Sequence, residues 1–156
     1  MTRTRSKREE EYLEAMYILM ERKGIIRIKD LAKILKIKPS SVVEYLDRLR
    51  RKGLVHYEKH ELITLTDKGL KIAKEIYKRH VALKEFLMLL LKIPEDIAEE
   101  DACYIEHKIH EITLDRIIKF IRFIKECPKG FPDFLKYLYY YYEYEKHPRI
   151  CSNNDN

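Results

Sequence analysis

Residues 31–53 read LAKILKIKPSSVVEYLDRLRRKG, and this stretch decides the predicted fold. Apolar residues recur at helical spacing on both sides of Lys36-Ile37-Lys38-Pro39, which predicts a helix, a tight turn and a second helix capped by Ser40 or Ser41. The inward face of the second helix is apolar: Val42, Tyr45, Leu46 and Leu49. Basic residues end this helix before Gly53. The pattern is typical of a helix-turn-helix that reads DNA.

The flanking residues extend this unit on both sides. A helix is predicted over residues 7–22, ending at Gly24. After the second helix of the motif, residues 54–58 and 62–66 are β-branched and aromatic runs that predict a hairpin. A hairpin directly after a reading helix is a wing. The N-terminal part is therefore predicted to be a winged helix-turn-helix domain.

The remainder of the chain is predicted to be all helical. The 25 residues of a helix from Asp67 would extend roughly 37 Å at 1.5 Å per residue. Further helices are predicted over residues 94–109, from Glu111 or Thr113 to the Cys127-Pro128 pair, and through residues 132–144. We therefore predict a mainly α fold: a DNA-binding domain at 1–72, a helical metal-binding and dimerisation domain at 73–148, and a flexible tail at 149–156.

Charge is distributed unevenly along the chain. Residues 1–60 hold 16 Lys and Arg against 9 Asp and Glu, whereas residues 61–156 hold 16 against 17. A basic first part is typical of a module that binds a polyanion, although a solvated charged face explains the charge equally well.

Three cysteines at irregular spacing do not form a disulfide framework, and the chain has no apolar leader. These features predict a cytoplasmic protein. The longest apolar run, residues 86–91, is too short to span a bilayer, so no membrane role is expected.

The predicted contacts to double-stranded DNA fall into three groups. Groove-facing residues are Pro39, Ser40, Ser41, Val43 and Glu44; phosphate contacts are Arg27, Lys29, Lys38, Arg48 and Arg51; wing-tip residues are Lys59 and His60. Winged helices also dock proteins, and the basic bias of this part favours DNA.

A second constellation offers metal donors. Cys103, Glu106 and His107 lie in one predicted helix, so a thiolate, a carboxylate and an imidazole share a face. A buried thiol beside a surface carboxylate and histidine is the alternative. Glu11 and Glu14 share a face of the first helix, and His80 stands in the long helix. Taken in isolation, these residues are better explained by a solvated acidic face and a single hydrogen-bonded histidine; the metal interpretation depends on their combination.

Several stretches together carry a family resemblance: residues 11–17 (EYLEAMY), 38–42 (KPSSV), 65–69 (LTDKG), 79–80 (RH) and 102–107 (ACYIEH). The sequence resembles the iron- and manganese-dependent repressors of the diphtheria toxin repressor and manganese transport regulator family, in a short, two-domain form. The resemblance implies a winged-helix domain followed by a dimerisation domain. It also implies metal ligands at Glu11, Glu14, His80, Cys103, Glu106 and His107.

The departures from the family pattern bear on the metal. The iron branch has Met at the position of Glu11, and the manganese branch has a carboxylate at the position of Cys103. Lys84 and Glu99 replace an acidic residue and a histidine of an ancillary site, so the resemblance does not carry that site over. The donors suit Fe²⁺ or Mn²⁺, with Fe²⁺ favoured because of the thiolate, and Co²⁺ or Zn²⁺ would bind in vitro.

We therefore predict a metal-dependent repressor of metal-homeostasis genes, acting as a homodimer on a palindromic operator, without enzymatic activity or a small-molecule substrate. Abundant apolar surface on the fifth and sixth helices favours the dimer. One alternative is a metal-independent winged-helix regulator that senses oxidation at Cys103 or a small ligand. A hydrolase with Glu106 as base is another, but the sequence has no HExxH motif and no glycine-rich phosphate loop.

Overall fold

A computed structural model describes residues 5–58 and 62–149 of the chain. Within these residues, seven helices and two short strands follow one another: α1 Lys7–Lys23, α2 Ile28–Ile34, α3 Pro39–Arg51, β1 Val55–His56, β2 Thr64–Leu65, α4 Asp67–Leu91, α5 Glu95–Ile105, α6 Glu111–Lys125 and α7 Asp133–Tyr144. The chain divides into two compact units, Met1–Arg79 and His80–Asn156. The predicted mainly helical class is confirmed. None of the described helices combines the length and the apolar composition that crossing a membrane requires.

Local sequence signals set both ends of α1. The hydroxyl of Ser6 accepts the backbone N–H of Glu9 at 3.3 Å, and two acidic residues in the first turn complement the helix dipole. Gly24 ends the helix in the left-handed conformation, with φ of 68°. The predicted first helix and its glycine stop are confirmed.

The first unit has one apolar core. Side chains from α1, α2, α3 and the strands meet in it together with Ala73 and Ile76 of α4. Its most deeply buried members include Leu13, Met16, Leu31, Val42 and Leu46. These residues recur at helical spacing, so the periodicity of the sequence directly encodes this core.

The start of α3 differs from the prediction. The helix begins at Pro39, and Lys38 is the N-cap residue without a side-chain hydrogen bond. The predicted cap at Ser40 or Ser41 is therefore wrong. Proline suits the first helical position because its fixed φ is already helical and its missing N–H would have no helical partner there.

The wing is a short hairpin. Val55 pairs with Leu65 and His56 with Thr64 in an antiparallel ladder, and an isolated bridge joins Ile26 to Ile63. Regular pairing is thus shorter than the two predicted five-residue runs. The predicted wing tip, residues 59–61, lies outside the described residues.

The beginning of α4 is fixed against the segment that follows α3. Thr66 Oγ1 accepts the backbone N–H of Gly69 at 3.0 Å and donates to the carbonyl of Gly53 at 2.8 Å. The backbone N–H of Thr66 donates to the carbonyl of Leu54 at 3.1 Å. A Cβ atom on Gly69 would lie 1.9 Å from that same Leu54 oxygen. Only glycine allows the two backbones to approach this closely.

The second unit has its own core. Leu83 and Leu87 of α4 pack with Ala98 and Ala102 of α5 and with Leu114 of α6. Helix α5 ends at Ile105, whereas the sequence predicted a helix to about residue 109. Past this end, the carbonyl of Ile105 accepts the backbone N–H groups of both Lys108 and Ile109 in a tight turn.

Replacing Gly69 with alanine tests the close approach at the start of α4. In most helices this change stabilises by about 0.5–1 kcal/mol. Here the added methyl group meets backbone, so we expect Gly69→Ala to lower the free energy of unfolding by about 1–3 kcal/mol in urea titrations followed by circular dichroism. Lys71→Ala, an exposed change on the same helix, is the control and should have little effect. A stabilised Gly69→Ala protein would contradict the proposed backbone clash.

Candidate functional site

The second unit places one buried carboxylate between two imidazoles. Glu106 is 1% exposed. Its Oε2 lies 3.3 Å from Nδ1 of His80, and its Oε1 lies 3.2 Å from Nε2 of His107. The side chains of His80 and His107 are 7% and 1% exposed. A carboxylate removed from water in this way requires partners that carry or can carry positive charge.

Cys103 adds a sulfur donor to this group. One donor atom from each of Cys103, Glu106 and His107 lies within 4.8 Å of the others. The sequence placed all three in one helix, and this is wrong, because Glu106 is the C-cap residue of α5 and His107 follows it. Their donor atoms still converge, because the backbone of Glu106 keeps a right-handed helical conformation in the turn after Ile105.

The other side of His80 faces a second carboxylate. Glu99 Oε1 lies 3.2 Å from His80 Nε2, and Glu99 Oε2 lies 2.9 Å from the ammonium of Lys84. Lys84 also donates to Glu95 at 2.8 Å. Two pairs at i,i+4 spacing, His80 with Lys84 on α4 and Glu95 with Glu99 on α5, therefore face each other.

These contacts shift the acidity of both charged groups. Burial alone would raise the pKa of Glu99, but hydrogen bonding to Lys84 and the nearby His80 outweigh it, so the pKa is lowered. Hydrogen bonds to Glu95 and Glu99 raise the pKa of Lys84. Both groups therefore stay charged at neutral pH.

Sequence analysis missed the contact between Lys84, Glu95 and Glu99. It treated Lys84 and Glu99 only as departures from a family pattern. The sequence shows only two pairs of like-charged residues at i,i+4 spacing, His80 with Lys84 and Glu95 with Glu99, and neither pair indicates that the two helices face each other.

The donor chemistry of the second unit fits a divalent transition metal. Carboxylate and imidazole are ligands of Mn²⁺ and Fe²⁺, and a thiolate extends the range toward Co²⁺ and Zn²⁺. The buried position of the carboxylate and imidazoles favours coordination over simple solvation.

Two further predicted ligands, Glu11 and Glu14, belong to the first unit. Both are on α1, three residues apart. Glu14 is 6% exposed, although it is acidic. Glu11 is about one-third exposed, and one of its oxygens lies 3.5 Å from the ammonium of Lys7. Of the two carboxylates, Glu14 is therefore buried and Glu11 is partly exposed to solvent.

The predicted DNA contacts lie mostly on the surface of the first unit. Exposed members are Arg27, Lys29, Lys38, Pro39, Ser40, Val43, Glu44, Arg48 and Arg51. Ser41 is half-buried, and Lys59 and His60 lie outside the described residues. The exposed face of α3 therefore carries the hydroxyl, carboxylate and guanidinium groups that could contact bases and phosphates.

Asp47 limits how freely two of the arginines on α3 can move. It accepts hydrogen bonds from Arg50 at 2.8 Å and from Arg51 at 2.6 Å. These bonds, Arg50 first, lower the pKa of Asp47. Arg51, a predicted phosphate contact, is thus already paired with an acid. Arg48 instead places its guanidinium 5.9 Å from the ring centroid of Tyr45.

An aromatic contact joins α1 to α3. The rings of Tyr12 and Tyr45 stack with centroids 4.4 Å apart. The hydroxyl of Tyr12 donates to the carbonyl of Ser41 at 3.3 Å, and burial raises the pKa of Tyr12. Tyr12 stands between Glu11 and Glu14 in sequence, so the helix that carries these two carboxylates directly contacts the start of α3.

Two family models together match most of the chain. Residues 5–62 match the iron-dependent repressor, N-terminal DNA-binding domain, and residues 66–135 match the iron-dependent repressor, metal-binding and dimerisation domain. The matched segments include α1 to β1 and α4 to α6.

Curated relatives agree with this assignment. An uncharacterized HTH-type transcriptional regulator of Methanocaldococcus jannaschii is 40% identical over 118 residues, covering 75% of this chain and 94% of that protein. The HTH-type transcriptional regulator MntR of Bacillus subtilis is 35% identical over 117 residues, covering 75% of this chain and 82% of the relative.

Solved structures share the fold. The manganese regulator SloR superposes with a TM-score of 0.64 at 32% identity, covering 77% of this chain and 56% of that one. IdeR of T. acidophilum gives a TM-score of 0.67 at 26% identity, covering 84% and 60%. The chain thus spans a little over half the length of these two structures. With the two family models and the curated relatives, these matches establish that the chain belongs to the iron-dependent repressor family of metal-dependent, DNA-binding transcriptional repressors.

Proposed function

We propose that this chain represses metal-homeostasis genes by binding their DNA in a metal-dependent manner. The observation that carries the proposal is the buried Glu106 carboxylate between the imidazoles of His80 and His107. A protein that only binds DNA does not need a buried carboxylate between two imidazoles. It is suited to sensing a cation, because its burial is favourable only when positive charge is present.

We assign six ligands to the metal centre. His80, Cys103, Glu106 and His107 come from the second unit, and the family resemblance adds Glu11 and Glu14 from α1. Bound there, a divalent cation would supply positive charge to the carboxylate ligands. Fe²⁺ is the favoured ion and Mn²⁺ the next, because a thiolate accompanies oxygen and nitrogen donors.

The residues of the first unit perform the recognition. Ser40, Val43 and Glu44 lie at the exposed start of α3, where a reading helix meets base edges. Arg27, Lys29 and Arg48 would contact phosphates and fix the register of the helix on the duplex. The contact of Tyr12 with Ser41 would pass a displacement of α1 to the start of α3.

We assign residues 1–72 to the DNA-binding domain and residues 73–148 to the metal-binding and dimerisation domain. Large apolar side chains remain exposed on α5 and α6: Ile97, Tyr104, Ile112 and Phe123. Burying them against a second copy would stabilise a homodimer. A two-fold symmetric dimer would in turn require a palindromic operator with half-sites about one helical turn apart.

Removing one ligand tests the metal assignment. We expect Glu106→Ala and His107→Ala each to weaken Mn²⁺ binding, measured by calorimetry, by more than about 100-fold, since even outer partners of ligands contribute 10–100-fold. Binding sites are first selected from a pool of random DNA duplexes with the wild-type protein in Mn²⁺. Either substituted protein should fail to bind the selected duplexes, and the wild-type protein should fail to bind them when a chelator is added. Lys119→Ala, which changes an exposed pair with Asp115 on α6, is the control.

Two outcomes would contradict this assignment. Metal-dependent DNA binding that survives Glu106→Ala would show that the ligands are elsewhere. DNA binding that a chelator leaves unchanged would favour the metal-independent regulator that the sequence also allowed.

Salt dependence tests the nucleic-acid surface. We expect the affinity of the metal-loaded protein for duplex DNA to fall steeply with salt, because phosphate contacts release counterions. In a plot of the logarithm of the binding constant against the logarithm of the salt concentration, Arg48→Ala should make the slope shallower by about 1, as expected for the loss of one phosphate contact. Fluorescence anisotropy at several salt concentrations measures both slopes, with Lys119→Ala as the control. A flat salt dependence in the wild type would indicate a protein partner instead of DNA.

A further inference from the structure

His80 faces a carboxylate with each of its ring nitrogens. Nδ1 lies 3.3 Å from Glu106, which we assign as a metal ligand. Nε2 lies 3.2 Å from Glu99, which belongs to none of the six ligands proposed above. The ring is 7% exposed at the side chain, so these carboxylates replace much of its contact with water.

Glu99 is itself held in place. One of its oxygens faces His80, and the other lies 2.9 Å from the ammonium of Lys84. Lys84 is anchored in turn by Glu95 at 2.8 Å. The four residues form a continuous chain of contacts, Glu95–Lys84–Glu99–His80, that leads from exposed Glu95 to a buried imidazole.

We propose that Glu99, held by Lys84, is a positioning residue that fixes the ring of His80 so that Nδ1 is the nitrogen available to a divalent metal ion. This inference rests on the proposed function, because it concerns how one of the assigned ligands is presented.

The chemistry of imidazole gives the reason. A neutral imidazole has one N–H donor and one nitrogen with a free lone pair. If Nε2–H donates to Glu99, the lone pair belongs to Nδ1, on the side of Glu106. A carboxylate behind a ligand histidine also raises its basicity and restricts rotation of the ring, and such partners contribute about 10–100-fold to metal affinity.

Lys84 has two effects of opposite sign on a nearby cation. Its positive charge repels the cation, so its removal would tighten metal binding if charge alone mattered. Its hydrogen bond also holds Glu99 toward His80, so its removal would weaken binding if orientation matters more. The structure favours orientation, because Lys84 is already neutralised by two carboxylates, Glu95 and Glu99.

Calorimetric titration with Mn²⁺ of the full chain tests the proposal. We expect Glu99→Ala to weaken binding by about 10–100-fold. Glu99→Gln, which keeps an acceptor oxygen, should bind within about threefold of wild type, and Lys84→Met should bind about threefold to tenfold more weakly, as for one lost hydrogen bond. Glu85→Ala and Lys125→Met remove a comparable pair, 2.7 Å apart, from the same unit and are matched controls.

A second measurement needs no metal. The proposal requires Nε2–H of His80 to donate to Glu99, 3.2 Å away, so in the metal-free protein this buried proton should give a slowly exchanging, downfield nuclear magnetic resonance signal. Glu99→Ala should abolish the signal and Glu99→Gln should keep it. The signal reports the orientation of His80 even in a variant that no longer binds Mn²⁺.

The outcomes separate this inference from the proposed function. If Glu106→Ala binds Mn²⁺ as the wild type does, the metal assignment itself fails. If Glu106→Ala loses binding while Glu99→Ala keeps both binding and the Nε2–H signal, only the positioning role is overturned. Tighter binding by Lys84→Met would show that its charge matters more than its hold on Glu99, and would also overturn the proposal.

Discussion

The second unit depends on one electrostatic constraint, the burial of the Glu106 carboxylate. An acid that is 1% exposed must meet positive or polarised partners on both oxygens. Since Glu106 is the C-cap residue just after the last residue of α5, these partners must come from the next residues of the chain and from a helix packed alongside. His107 meets the first need and His80 of α4 the second. Ala98 and Ala102 lie between α4 and α5 in the core, and their small side chains allow this approach.

The donors around Glu106 differ in their access to solvent. The imidazoles of His80 and His107 are buried, whereas Cys103 is exposed. The harder donors therefore form the interior of the centre, and the soft thiolate stands at its edge. Electrostatic effects are stronger in the interior because the local dielectric is lower. The proposed ligands therefore differ both in the chemical type of the donor atom and in how far that atom is buried.

Sequence reasoning was most accurate where structure depends on local patterns. Helix α1 stops at its C-cap residue Gly24, and α4 runs from Asp67 to Leu91, the 25 residues that the sequence predicted. It failed where backbone geometry overrides side-chain preference, as at Pro39, which starts α3 ahead of the two serines. The donors Cys103, Glu106 and His107 were found by spacing, although the helix ends before two of them. The link between Lys84 and Glu99 joins two helices, so no local pattern of one helix reveals it.

The stacking of Tyr45 on Tyr12 has a consequence for redesigning the specificity of this protein. Tyr45 lies on α3, the helix that we propose meets DNA, but its ring packs against Tyr12 of α1, and the hydroxyl of Tyr12 also donates to the carbonyl of Ser41. Grafting another reading helix onto this scaffold would have to retain that aromatic ring and that backbone position. Freedom to rewrite base preference is therefore confined to outward positions such as Ser40, Val43 and Glu44.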